Sequence, residues 1–277
     1  MPLWTWYGLK QGKASTRWPK AGDDGQAGVL GMPRFDPAKC EDGCRRCAEA
    51  CLPGAIRMLE AREPGASELP RLEVDYGRCV VCQMCVEACP TGAFATSEDW
   101  AFGTARRADL LWAEAIASPE GTTVRNEIRR TFGRSLHIRH VDTGSCNGCE
   151  SELQALNNPY YNLHRLGVFF TASPRFADLL LVTGPVTYAL RGPLLAAYGA
   201  MAEPRFVMAV GTCAVSGGVA AGGYSCGRGL EGVLPVDMYL PGCPPNPAAI
   251  IHALLMLLQR MPQRVKHGQL TAGVDHA

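Results

Sequence analysis

The spacing of its cysteines constrains this chain more than any other feature of the sequence. Of the 13 cysteines, twelve fall into three groups of four. The groups are Cys40, Cys44, Cys47 and Cys51; Cys79, Cys82, Cys85 and Cys89; and Cys146, Cys149, Cys213 and Cys243. A 4Fe-4S cluster is held by four thiolates, so the grouping predicts three such clusters and a protein that carries electrons. Cys226 is left outside the groups.

The bulk composition excludes some classes of protein. Hydrophobic residues make up 47% of the 277 residues and the net charge is +1, which fits a globular protein and gives no reason to expect a nucleic-acid partner. The N-terminal segment lacks the apolar region and cleavage site of a signal peptide, which indicates a reducing compartment with free thiols. The longest apolar run, Ala248 to Leu258, contains His252 and is too short to span a membrane. We therefore expect partner subunits to provide any membrane attachment.

The first two groups of cysteines form a sequence repeat. The second group reads C-x2-C-x2-C-x3-C followed by Pro90, and the first group aligns with it at an offset of 38 residues. Two departures occur in the first group: three residues separate Cys40 from Cys44, and Leu52 stands between Cys51 and its proline. Because Gly43 lies in the longer loop, the Cys40 sulfur can still reach a shared site.

Residues 36–96 resemble a bacterial-type two-cluster ferredoxin, an α+β domain in which the fourth ligands are exchanged between the clusters. The resemblance implies one 4Fe-4S cluster on Cys40, Cys44, Cys47 and Cys89. It implies a second 4Fe-4S cluster on Cys79, Cys82, Cys85 and Cys51. Zinc sites use two C-x2-C pairs separated by a long gap, which this pattern does not match.

Two segments flank this domain. Residues 1–35 form an N-terminal arm whose aromatic and basic side chains suit either a membrane or partner interface or an arm packed on protein, and the glycines and proline within it favour packing. This arm also resembles the start of the ferredoxin-like subunit of respiratory complex I and its hydrogenase relatives. Residues 97–134 are predicted as a linker with a helix over Ala105 to Ala117, and Arg125, Arg129 and Arg130 as a solvated or interface face.

In residues 135–262, apolar runs alternate with helical stretches, which predicts an α/β domain with a flavodoxin-like parallel sheet. Residues 263–277 are expected to be a tail. Each cysteine of the third group follows the end of a predicted strand. In open α/β sheets the carboxyl edge is where ligands bind, so we expect these four cysteines to share one cluster.

Four motifs in this domain, VDTGSCNGCESEL, TGPVT, VGTCAVSGG and YLPGCPPNP, resemble the small subunit of energy-converting, membrane-bound NiFe hydrogenases, including formate hydrogenlyase. The complex I subunit with the terminal cluster is similar but has two adjacent cysteines, where this chain has C-x-G-C. The resemblance implies a 4Fe-4S cluster on Cys146, Cys149, Cys213 and Cys243, beside the active site of a large partner subunit. It also implies membrane subunits, and ferredoxin, formate dehydrogenase or carbon monoxide dehydrogenase as donors.

Other candidate residues carry weaker signals. The resemblance gives Glu152 a catalytic role in proton transfer or a role at the interface; the alternative is a carboxylate stabilised by the helix dipole. Glu150 has less support. The glycine-rich stretch around Cys226 lacks a phosphate-binding pattern, so we read it as a loop and Cys226 as a spare thiol. We expect His137, His140 and His164 to be structural.

The cysteine count also bears on mechanism. A NiFe centre in the resembled hydrogenases needs four thiolates of its own, and 13 − 12 leaves one. The sequence therefore predicts an electron-transfer subunit of an oxidoreductase, peripheral on the cytoplasmic side of the inner membrane, with the catalytic metal on another chain. The alternatives are a complex I-type module that delivers electrons to quinone, and a carrier without an enzymatic partner.

Overall fold

The N-terminal part of the chain is built from short helices and strands. The computed structural model describes residues 2–59, 72–113, 135–262, 265–266 and 269–270. In chain order the first elements are α1 (Leu3–Gln11), β1 (Arg34–Phe35), α2 (Arg46–Ala50), β2 (Ile56–Met58), β3 (Leu72–Asp75), α3 (Met84–Ala88), β4 (Phe94–Ala95) and β5 (Leu111–Ala113). Strands β1 and β4 pair antiparallel, and β2, β3 and β5 form an antiparallel sheet in that order.

The structure repeats at the offset seen in the sequence. Helices α2 and α3 begin 38 residues apart and are equally long, and each ends directly before the last cysteine of its group, Cys51 or Cys89. The two helices pack on one core with Phe35, Ile56 and Phe94. An N-terminal ferredoxin-like unit is thereby confirmed.

The predicted helix from Ala105 to Ala117 is wrong where the structure describes it. Arg107–Leu110 is a single 3-10 turn, and β5 follows it directly. Trp112 pairs opposite Val74 of β3, and aromatic and β-branched residues favour such a position in a sheet. Sheet pairing therefore overrides the helical pattern. Residues 114–117 and the three arginines at 125, 129 and 130 lie outside the described residues.

The C-terminal part is the predicted parallel sheet covered by helices. Its elements are β6 (Leu136–Asp142), α4 (Gly148–Ala155), β7 (Val168–Phe170), β8 (Leu179–Thr183), α5 (Tyr188–Gly199), β9 (Phe206–Val210), α6 (Thr212–Ser216), β10 (Met238–Leu240), α7 (Pro247–Leu257), β11 (Val265–Lys266) and β12 (Gln269–Leu270). The strand order β10-β9-β8-β6-β7 is parallel throughout. This is the flavodoxin-like 2-1-3-4-5 order, read from the other edge.

Alternate residues of the central strands face two different cores. Leu179 and Leu181 of β8 pack in the core under α7, whereas Leu180 and Val182 point into the core on the opposite face. All residues of α7 are buried, as expected for a helix that is apolar on every side. No helix among the described residues has the length and apolar character that a membrane span requires.

Backbone hydrogen bonds and aromatic contacts help to join the N-terminal unit to the sheet. The backbones of Thr104 and Tyr239, on β10, exchange hydrogen bonds of 2.9 and 2.7 Å. Trp100 lies edge-on to Trp18 and to His252 of α7, with ring centroids 6.2 and 6.1 Å away. The junction lies on the side of the sheet where β9 and β10 run, which brings the cysteines of the two parts toward each other.

Candidate functional site

The carboxyl edge of the parallel sheet carries the third group of cysteines, which we call the Cys146 set (Cys146, Cys149, Cys213 and Cys243). Cys146 and Cys149 lie in the turn after β6 and the first turn of α4, Cys213 lies in α6 directly after β9, and Cys243 follows β10. Burial raises the pKa of the Cys149 thiol, and the charges of Glu150 and of the other three cysteines raise it further. The four thiols are therefore close enough to repel one another as thiolates.

Glycines leave room around these sulfurs. A Cβ on Gly211 would stand 2.5 Å from the Cys149 sulfur, and one on Gly218 would stand 3.0 Å from the Cys213 sulfur. Both glycines have positive φ, +87° and +58°, which side chains rarely adopt. The backbone can therefore approach the space between the thiols closely, as a compact inorganic cluster requires.

The eight cysteines of the ferredoxin-like unit gather into two sets, each containing three cysteines of one group and the last cysteine of the other. Burial is the main reason that the pKa of the Cys47 thiol rises to about 11. The charges of Cys40, Cys44 and Cys89 also raise it. Burial is likewise the main reason that the pKa of the Cys85 thiol rises to about 12, and the charges of Cys79, Cys51 and Cys82 also raise it. We call these the Cys40 set (Cys40, Cys44, Cys47 and Cys89) and the Cys79 set (Cys79, Cys82, Cys85 and Cys51).

The backbone wraps tightly around the Cys79 set. Val81 and Gln83 adopt left-handed φ values of 59° and 63°, a conformation that a β-branched residue such as valine rarely takes. The N–H of Val81 donates to the Cys79 sulfur at 3.4 Å, and the N–H of Ala55 donates to the Cys51 sulfur at 3.2 Å. Such donors stabilise negative charge on sulfur and tune the potential of a bound cluster.

Cys89 differs from its neighbours in its electrostatics. Burial alone would raise the pKa of its thiol, but hydrogen bonds from the backbone of Phe94, Thr91 and Ala93 and from the Thr91 hydroxyl lower it. A thiolate is the form that binds metal, so these donors prepare Cys89 as a ligand. No three His, Cys, Asp or Glu side chains of the described ranges converge as a single metal ion requires. A 4Fe-4S cluster instead needs four thiolates placed around its own atoms.

Glu150 joins several polar side chains at the sheet edge. Its carboxylate accepts a hydrogen bond from the Ser145 hydroxyl at 2.8 Å and another from the Thr183 hydroxyl at the end of β8. His140 Nε2 lies 2.9 Å from the same Thr183 hydroxyl, and burial lowers the pKa of this histidine. The network ties the turn that carries Cys146 to the ends of β6 and β8. Glu150 had little support from the sequence, because Thr183 comes beside it only when β6 and β8 pair.

The remaining candidates are placed as follows. Glu152 lies half-buried on α4, and burial raises the pKa of its carboxyl group. Its role in proton transfer or at an interface stays a prediction. The rings of His137 and His164 both stack on the ring of Phe169, with centroids 5.7 and 5.1 Å away. Cys226 is buried, and its thiol lies 3.0 Å from the Ala220 carbonyl.

The N-terminal arm divides into two parts. Residues around Trp18 pack on the sheet domain: the ring is buried in its core, the Thr16 N–H donates to the Tyr160 carbonyl at 2.8 Å, and Arg165 donates to the Trp18 carbonyl. In contrast, α1 buries none of its side chains. Its large exposed residues are Leu3, Trp4, Trp6, Tyr7 and Leu9.

Comparisons with known proteins agree with this division. The family described as NADH ubiquinone oxidoreductase, 20 Kd subunit matches residues 146–257, and the 4Fe-4S dicluster domain matches residues 39–93. Formate hydrogenlyase subunit 7 of Escherichia coli is 38% identical over 152 residues, which are 55% of this chain and 58% of that protein. The chain thus spans little more than half of that relative.

Two archaeal relatives are covered more fully. The probable membrane-bound hydrogenase subunit mbhJ of Pyrococcus furiosus is 39% identical over 140 residues, which are 50% of this chain and 84% of that protein. An uncharacterized protein of Methanocaldococcus jannaschii is 46% identical over 122 residues, which are 44% of this chain and 82% of that protein. The matched lengths are about half of this chain in each case.

Proposed function

The chain belongs to the family of the 20 Kd subunit of NADH ubiquinone oxidoreductase and of membrane-bound hydrogenase subunits, and we propose that it is the iron–sulfur electron-transfer subunit of a NiFe hydrogenase complex. Three sets of four thiols, each gathered in space, carry the proposal. When bound, three 4Fe-4S clusters supply one-electron transfer between a donor and a NiFe site on a large partner subunit. The Cys40, Cys79 and Cys146 sets would hold them.

The chain's own residues have three tasks in this proposal. The twelve thiolates bind the iron, and backbone N–H groups such as those of Val81 and Ala55 donate to sulfur and favour its charge. The Glu150 network holds the turn that carries Cys146 against β8. Glu152, half-buried two residues further along α4, is our candidate for proton transfer or for contact with the partner.

A covering partner at the sheet edge is supported by what the edge exposes. Cys146 and Cys243 are exposed to solvent. The segments that follow β8 and β9 on the same edge present the apolar side chains of Tyr188, Val219 and Tyr224, which are 59%, 70% and 100% exposed. Exposed apolar groups beside cysteines that would hold a cluster mark an interaction surface. This surface favours a subunit of a complex over a carrier that acts alone.

The catalytic metal is assigned to the partner because too few thiols remain. Cys226 is the one cysteine outside the three sets, so the sequence holds no fourth group of four thiolates. We further propose that the partner complex includes membrane subunits and that this chain is bound to them on the cytoplasmic side of the inner membrane. The second candidate is a complex I-type module, which the family name favours and the C-x-G-C spacing of Cys146 and Cys149 disfavours.

Purification of the chain with its native partners tests these alternatives. We expect about 12 irons per copy of this chain from three 4Fe-4S clusters. We also expect nickel in a co-purifying larger subunit and dye reduction that depends on H2. Ferredoxin, formate with its dehydrogenase, and carbon monoxide with its dehydrogenase are then offered one at a time as donors. A complex without nickel or H2 activity that still reduces quinone would instead establish the complex I-type function.

A further inference from the structure

We propose that Thr212 is a positioning residue for electron transfer, because its hydroxyl joins the loops that carry the Cys79 set and the Cys146 set. This inference rests on the proposed function, since it presumes clusters on both sets. It adds a specific residue, at the place where the Cys79 loop meets the sheet edge.

The hydrogen bonds of Thr212 cross the junction between the two parts of the chain. Its hydroxyl donates to the backbone carbonyl of Cys79 at 2.8 Å, across 133 positions of sequence. Thr212 itself is 1% exposed, and Cys79 is partly buried. Thr212 is the first residue of α6 and directly precedes Cys213. One side chain therefore connects the residue next to a sheet-edge ligand with a ligand of the ferredoxin-like unit.

Thr212 also holds the loop of a third ligand. Its N–H donates to the Gly242 carbonyl at 2.9 Å, and the Gly242 N–H donates back to the Thr212 hydroxyl oxygen at 3.2 Å. Gly242 directly precedes Cys243. The backbone positions of Cys213 and Cys243 are thus set by the same residue that bonds to Cys79.

A second observation places the same loops together. Val80 and Val81, which follow Cys79, line one cleft together with Cys243 and Pro244. The contact at Thr212 is therefore part of a wider junction. Because the rate of electron transfer falls steeply with the distance between centres, a bond that fixes the spacing of two ligand loops acts directly on that rate.

Three variants of the full chain, purified with its partners and loaded with clusters, test the inference. Thr212→Val keeps the shape of the side chain and removes the hydroxyl, so the Cys79 carbonyl loses this donor and the Gly242 N–H loses its acceptor. Thr212→Ser keeps the hydroxyl. Thr104→Val is the matched control: Thr104 is 2% exposed and lies on the same junction, but its hydroxyl donates to the Arg106 carbonyl at 3.1 Å.

The readouts are iron content, the magnetic splitting between reduced clusters in electron paramagnetic resonance, and the rate at which a photoinjected electron moves between clusters. We expect Thr212→Val to keep about 12 irons per chain. The magnetic splitting between its reduced clusters should decrease, and electrons should move between the clusters more slowly. Thr212→Ser and Thr104→Val should match the wild type.

Wild-type splitting and rate in Thr212→Val would overturn the inference. An equal loss of splitting and rate in Thr104→Val would also overturn it, because it would reveal general loosening of the junction. A selective loss of iron in Thr212→Val would overturn it as well, because it would reveal a role in cluster retention alone. These readouts require neither nickel nor H2. A wild-type chain without interacting clusters would overturn the proposed function itself, whereas intact clusters without H2 activity would overturn only the hydrogenase assignment.

Discussion

Substitution of Gly211 by alanine would test the sheet-edge cluster most directly. Gly211 links β9 to α6 with φ 87° and ψ 151°, a conformation that is essentially restricted to glycine. The added Cβ would also lie 2.5 Å from the Cys149 sulfur, well inside van der Waals contact. The added methyl group therefore destabilises the folded chain in two independent ways.

The magnitude follows from these two penalties. A non-glycine residue in this region costs on the order of 1–3 kcal/mol, and overpacking a filled site costs about as much. Together they reach roughly 2–6 kcal/mol, against a total stability of about 5–15 kcal/mol for a typical protein. Displacement of the Cys149 side chain relieves the contact without disrupting β9, so we expect the Cys146 set to lose its cluster while the chain stays folded.

Iron analysis and electron paramagnetic resonance measure the outcome. Gly211→Ala should contain about 8 irons per chain where the wild type contains about 12, and the signal of one cluster should disappear. Gly199→Ala is the control, because Gly199 ends α5 without a positive φ and an added Cβ there meets nothing within 4 Å. Full iron content and an unchanged spectrum in Gly211→Ala would refute the reasoning.

Two further predictions concern the supporting structure. Arg107 donates to both oxygens of Asp75 at 2.8 and 2.6 Å, with side chains only 17% and 8% exposed, so Arg107→Gln should lower the free energy of unfolding in denaturant by about 3 kcal/mol. Lys39→Gln is the control, because its pair with Asp36 has side chains 57% and 34% exposed; this variant should lower the free energy of unfolding by about 0.5 kcal/mol, and equal losses would contradict the prediction. Cys226→Ser should keep about 12 irons, and a fall to about 8 would make Cys226 a ligand.

The sequence predicted those features that depend on local spacing or on periodic burial. The repeat at 38 residues reappears as two equal helices that end before Cys51 and Cys89. The parallel sheet could be predicted because β8 and β9 are buried on both faces and read as continuous apolar runs. The ends of these strands then brought Cys213 and Cys243 together, although they lie 30 positions apart in the sequence.

Features that depend on pairing between distant segments were not predictable in this way. The segment around Trp112 has a helical pattern, but Val74 lies opposite it in the folded sheet and fixes it as a strand. Glu150 looked like one of several carboxylates near the cysteines until the folded strand ends placed Ser145 and Thr183 beside it. In each case the deciding partner lies on another element, where neither spacing nor periodicity can indicate it.

Contacts between distant segments also set the spacing between the two parts of the chain. The ligands of the Cys40 and Cys79 sets are held by a local unit, but the distance from that unit to the sheet edge depends on contacts across the junction. Thr104 and Tyr239 hold the junction through backbone hydrogen bonds, which tolerate most side chains. Thr212 holds it through a side chain, directly between ligand loops. A change at Thr212 can therefore alter the spacing of the sets while both parts keep their folds.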